Sequence, residues 1–138
     1  VRWTRYTAFR SPVPAALRAQ GASRMSEIVE TLLDTAFQDT ELLIQNDGKG
    51  DNFQVPRNVD FIFYAPTKEK ADVVASFIND NRYAEASYDD VEGQFRILAV
   101  VHMAPTQHVL CSVSGLMACV AKIFSVEYDG WGTTIERT

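Results

Sequence analysis

At 138 residues the chain has the length of one domain, and a hydrophobic share of 46% excludes wholesale disorder. A net charge of −5 at pH 7 argues against direct binding to phosphate backbones. No uninterrupted apolar run reaches the roughly 18 residues needed to cross a bilayer, so the expectation is a soluble, cytoplasmic protein without membrane partners.

The charge is unevenly spread. Residues 1–24 carry Arg2, Arg5, Arg10, Arg18 and Arg24 and no acid. From Met25 onward, 8 Lys and Arg face 18 Asp and Glu, a balance of −10. The first segment also holds Pro12 and Pro14 and lacks both the apolar core of a secretory signal and a sustained helical period. It reads as an organelle-targeting segment, a basic arm or leader sequence ahead of a start at Met25. The expectation is a basic leader, 1–24, outside the fold, followed by one domain over 25–138.

Spacing predicts a first helix over 26–44, with Val29, Leu32, Leu33, Ala36 and Phe37 on its apolar stripe and Glu30, Asp34 and Asp39 outside it. Asn46 to Asn52 reads as a loop. Val59-Asp60-Phe61-Ile62-Phe63-Tyr64-Ala65 is β-branched and aromatic and reads as a buried strand. Thr67 is placed to cap a helix over 68–81, with Ala71, Val74, Ala75 and Ile78 inward and Asn81 at a left-handed end. Tyr83 to Tyr88 reads as an edge strand, and Asp89-Asp90-Val91-Glu92-Gly93 as an acidic turn. Phe95 to Val101 is apolar on both faces and predicts a central strand. Pro105-Thr106 introduces a helix with Val109, Val113, Leu116, Met117, Val120 and Phe124 inward. A last strand runs from about Val126 to Ile135.

From residue 59 the order is β-α-β-β-α-β. With the most apolar strands placed centrally, this predicts an α+β, ferredoxin-like αβ sandwich: a four-stranded antiparallel sheet with two helices on one face. The helix at 26–44 is an extra N-terminal element that shields an edge or the open sheet face.

Val126-Glu127-Tyr128-Asp129-Gly130-Trp131-Gly132-Thr133 is the most specific run in the chain. Trp is found where it is buried or bound, and flanking glycines permit a sharp turn or a close backbone approach. The run is either a bulged corner fixing the last strand to the core or a recognition knob.

Reactive chemistry finds little support. In the 46–52 loop, Lys49 and Asn52 occupy positions where a calcium loop starting at Asp47 needs an oxygen ligand and glycine. His108 and Cys111 are three apart, but no second ligand pair accompanies them. Ser112-Val113-Ser114-Gly115 is not a nucleophile elbow, and Ala65 to Lys70 is not a glycine-rich phosphate loop. A base-stacking RNA module needs spaced aromatics on its third strand, where only Phe95 stands. Cys111 and Cys119, eight apart on a helix, lie about 12 Å apart along its axis, too far for a disulfide. No catalytic residue, cofactor or metal ligand is expected.

The run from Phe124 to Thr133 resembles the C-terminal signature of the regulator of ribonuclease activity B family, the ribonuclease E inhibitor domain. Gly50-Asp51, Pro56-Arg57-Asn58-Val59-Asp60-Phe61, Phe63-Tyr64 and Pro66-Thr67 are similar to that family too, and the resemblance covers roughly 26–136. It implies a ferredoxin-like fold and a non-catalytic, cytoplasmic bacterial protein that binds the basic scaffold region of ribonuclease E and dampens RNA decay. The better-known pattern continues into a long acidic tail, whereas Arg137 is the last charge here, which reduces the expected acidic contact surface. Glu127, Asp129 and Trp131 of the motif, with Asp89, Asp90 and Glu92 of the turn, are the candidate contacts to a partner with a basic surface. The alternative is a stand-alone interaction module with another client, such as an immunity-type inhibitor or a homodimeric binding protein.

Overall fold

The computed structural model describes Trp3–Arg5 and residues 27–138. Strand β1 (Trp3–Arg5) is followed by helix α1 (Glu27–Gly48), β2 (Arg57–Ala65), α2 (Lys68–Asp80), β3 (Glu85–Val91), β4 (Gln94–Met103), α3 (Gln107–Phe124) and β5 (Glu127–Thr134). The sheet order is β1-β5-β2-β4-β3, with every pairing antiparallel. Without β1, this is the strand order expected of a ferredoxin-like sandwich, with β2 and β4 in the middle. Three residues of the segment set aside as a leader lie in the sheet, Trp3–Arg5 pairing with Gly132–Thr134. The remaining readings of 1–24 fall outside the described residues.

Period-two alternation turns Val59, Phe61 and Phe63 of β2 and Ile97 and Ala99 of β4 toward the helices, all without solvent exposure. Register pairs Phe61 with Ala99 and Phe63 with Ile97, so large side chains meet small or branched ones across the strands. On α2 the buried residues are Ala71, Val74, Ala75 and Ile78, as the spacing predicts, and the Thr67 side chain accepts the Lys70 N–H at its start. The left-handed position after α2 is Arg82 (φ 57), not Asn81, which is right-handed. The Asn79 side-chain amide bonds both backbone groups of Ala86, covering part of the outer edge of β3.

Helix α1 differs most from its sequence reading. It runs on through Asn46 to Gly48, so the loop begins later. Its buried residues are Asp39, Leu42, Leu43 and Asn46, whereas Val29, Leu33, Phe37 and Ile44 are exposed. The apolar arc and the packed arc are adjacent faces of one helix, and periodicity alone does not say which meets the protein. Helix α1 lies along α3, on the helix side of the sheet rather than over its open face. A Cβ on Gly115 of α3 would come within 3.2 Å of Leu32 Cδ2, so glycine there permits the close approach.

Helix α3 therefore meets α1 as well as the sheet. Its buried set is Leu110, Ser114, Met117, Ala118, Val120 and Ala121. Of the residues expected inward, Val109 is exposed, while Val113, Leu116 and Phe124 are half-buried against the core. By length and hydropathy α3 alone among the described helices would suffice to cross a bilayer. Here that apolarity serves contacts with both the sheet and α1. Cys111 and Cys119 are free thiols.

Candidate functional site

The Tyr-Asp-Gly-Trp-Gly run folds into β5 as a bulged corner. Tyr128 pairs with Phe63 and Gly130 with Ile62, so Asp129 is the extra residue of a register shift. Gly130 takes φ 94, a conformation that only glycine enters freely. Trp131 is 1% exposed. It was a candidate partner contact, and the structure corrects that: its ring fills the core and its Nε1–H donates to Asp39 Oδ1 on α1 at 3.2 Å. Tyr128 is also buried, its hydroxyl 2.8 Å from Ser114 Oγ on α3. The signature aromatics thus tie β5 to both neighbouring helices.

Asp39, assigned to solvent by the sequence reading, is 4% exposed. Burial raises its carboxyl to about 7, against hydrogen bonding from Ser114 and Trp131 that lowers it. The same carboxylate, after burial itself, pushes the nearby Cys111 thiol up.

A second lock holds the start of β2. Arg57 Nη1 donates to Asp51 Oδ1 at 2.6 Å and to the Thr134 carbonyl at 2.9 Å, and Arg57 Nε donates to the Val55 carbonyl. Asp51 Oδ1 also accepts the Glu136 N–H at 3.2 Å. Arg57 and Asp51 are both buried, so Gly50-Asp51 and Pro56-Arg57 anchor the C-terminal segment to the sheet.

With these anchors set, an open groove of about 770 Å³ lies between the N-terminal half of α1, the C-terminal end of α3 and the start of β5. Ile28, Ile123 and Val126 supply apolar surface, and Glu127 stands at the β5 side. Lys122 Nζ on α3 donates to Glu27 Oε1 on α1 at 2.8 Å, both residues bordering the groove, and this hydrogen bond, then the Lys122 charge, holds the Glu27 carboxyl below its ordinary range. Ser125, at φ 56, turns the chain from α3 into β5, and its N–H caps the helix end.

The remaining acidic candidates sit elsewhere. Asp89 and Asp90 belong to β3 rather than to a turn. Glu92 and Gly93, both at positive φ, form the two-residue hairpin, since Val91 pairs with Gln94. Asp89 pairs with Arg96 Nη2 at 3.2 Å, and Asp90 Oδ1 accepts the Gly93 N–H. Register aligns Glu127, Tyr64, Arg96 and Asp89 in one row across the sheet. Three interstrand steps separate Glu127 from Asp89, about 14 Å. Glu127, Asp89, Asp90 and Glu92 are exposed and Asp129 is half-buried.

The two histidines do not meet. His102 Nδ1 is 3.0 Å from Asn58 Oδ1 on the sheet, whereas His108 lies in the first turn of α3, beside a shallow depression shared with Thr40 and Cys111. Sequence reasoning missed Asp39, Ser114 and the Glu27–Lys122 pair. An acid four residues before apolar Leu43 was a weak signal for the first, and nothing local marked the others.

The family model for the regulator of ribonuclease activity B matches residues 37–133. No match was found among curated proteins. The matched span begins in α1 just before Asp39 and ends two residues past Trp131, so both ends of that buried hydrogen bond fall inside it.

Proposed function

Because the chain belongs to the regulator of ribonuclease activity B family, we propose that it is a non-catalytic inhibitor of ribonuclease E that acts by binding a basic region of that enzyme. The observation that carries this reading is the family match combined with the acidity of the chain from Met25 onward, 18 Asp and Glu against 8 Lys and Arg. Such a field speeds encounter with a basic segment and repels RNA itself. Exposed Glu127, Asp89, Asp90 and Glu92 lie along one end of the sheet and contribute to it. Trp131 and Tyr128 serve by holding β5 and the helices together. The working place is the bacterial cytoplasm, where the enzyme acts.

The test is direct binding of purified ribonuclease E to the immobilised chain. Retention at low salt that weakens steadily as salt rises supports the proposal. Absence of retention at low salt, with the chain folded, overturns it.

A further inference from the structure

We infer that the groove between α1, α3 and β5 receives an amphipathic helical segment of the protein partner, apolar side inward and Arg or Lys at its edge. The inference rests on the reading of the chain as a protein-binding regulator.

Four observations carry it. Ile123 is 64% and Ile28 39% exposed, yet both border one groove with Val126, so apolar surface is gathered where a partner can cover it. The charge left for a partner there is negative. Lys122 is engaged by Glu27, the last turn of α3 brings the negative end of its helix dipole, and the chain from Met25 onward carries 18 Asp and Glu against 8 Lys and Arg. A second copy of this acidic chain would set carboxylates against carboxylates, but a basic segment complements them. The groove is open to solvent, which suits a ridge of side chains from a partner helix. Two signature-anchored elements form its walls: α1 is held by the Asp39–Trp131 bond and α3 by the Ser114–Tyr128 bond.

The experiment titrates the full, isotope-labelled chain with a synthetic 16-residue helical peptide carrying leucines on one face and arginines on the other. A control peptide replaces the leucines with serines. The expected result is amide shifts concentrated at Ile28, Thr31, Ile123 and Val126. Ile123→Glu, a change at an exposed position, weakens binding at least tenfold, whereas Asp89→Asn with Asp90→Asn changes it less than threefold. Shifts centred on the β3–β4 hairpin, equal affinity for the serine peptide, no binding, self-association through the groove, or an Ile123→Glu chain that binds like the parent would each overturn the inference. Ribonuclease E in a parallel titration separates the two claims. If the enzyme binds the parent and Ile123→Glu equally, the groove is wrong and the function stands. If the peptide fills the groove but the enzyme does not bind, the function is wrong and the groove stands.

Discussion

Trp131 and Asp39, 92 residues apart, are joined by a 3.2 Å hydrogen bond from the indole N–H to a carboxylate oxygen. The bond fastens the first long helix to the last strand at a point where neither group meets solvent. It accounts for the burial of a tryptophan that follows a bulge: Gly130 takes the positive φ at the register shift, and the indole beyond it points inward.

Trp131→Phe should therefore lower stability by about 2–4 kcal/mol, since it removes core volume and strips a buried carboxyl of its indole donor. Urea unfolding measures this. Per folded molecule, affinity for the protein partner should stay within twofold, and a tenfold loss with the fold intact would return Trp131 to the contact surface.

Asp39 makes stability depend on pH in a direction opposite to a paired carboxylate. Its carboxyl is raised from 3.8 to about 7, so the folded chain holds a proton that the unfolded chain has released. Its contribution is fully present below about pH 4 and is lost as pH rises through 7, on the order of 4 kcal/mol across that window. Asp39→Asn keeps an acceptor for the indole and removes the titration. Unfolding at pH 5 and pH 8 should show the variant gaining on the parent at the higher pH; equal slopes for the two chains would refute the assignment.

Arg57→Ala should cost about 3–5 kcal/mol by leaving Asp51 as a buried charge without its cation. Replacing Arg57 and Asp51 together with apolar residues should cost less than the single change. A double variant as unstable as Arg57→Ala would show that the hydrogen bonds to Val55 and Thr134, rather than the charge pair, dominate.

Charge reversal at the hairpin, with Asp89, Asp90 and Glu92 all changed to Lys, should act at long range. Association with ribonuclease E should slow several-fold at low salt, with little change in dissociation and with the difference shrinking as salt rises. Interferometry resolves the two rates, and a change confined to dissociation would make the hairpin a direct contact.

Most of the frame was legible because strands and helix α2 obey simple rules. The inward face of α2 follows from Ala71, Val74, Ala75 and Ile78, since that helix has only one side to bury. The central places of β2 and β4 follow from their apolar runs. Helix α1 was readable as a helix but not in its orientation. Its packed side includes Asp39 and Asn46, and the partner of Asp39, Trp131, lies far along the chain. Helix α3 was mis-faced at Val109 for a related reason, because a helix with two packed sides gives no single apolar stripe. The acidic stretch at 89–92 read as a turn because its composition is polar, yet β4 supplies the pairing that makes Asp89 and Asp90 strand. At the candidate site, Glu127 was legible from the motif, whereas the groove beside it arises only when α1 and α3 come together.

Cleavage of a single-stranded RNA by purified ribonuclease E, followed as the chain is titrated in, tests the central claim most directly. The initial rate should fall to a floor near one equivalent of chain, and the chain alone should leave the RNA intact. An undiminished rate at saturating chain, or RNA cut by the chain without the enzyme, would contradict the account.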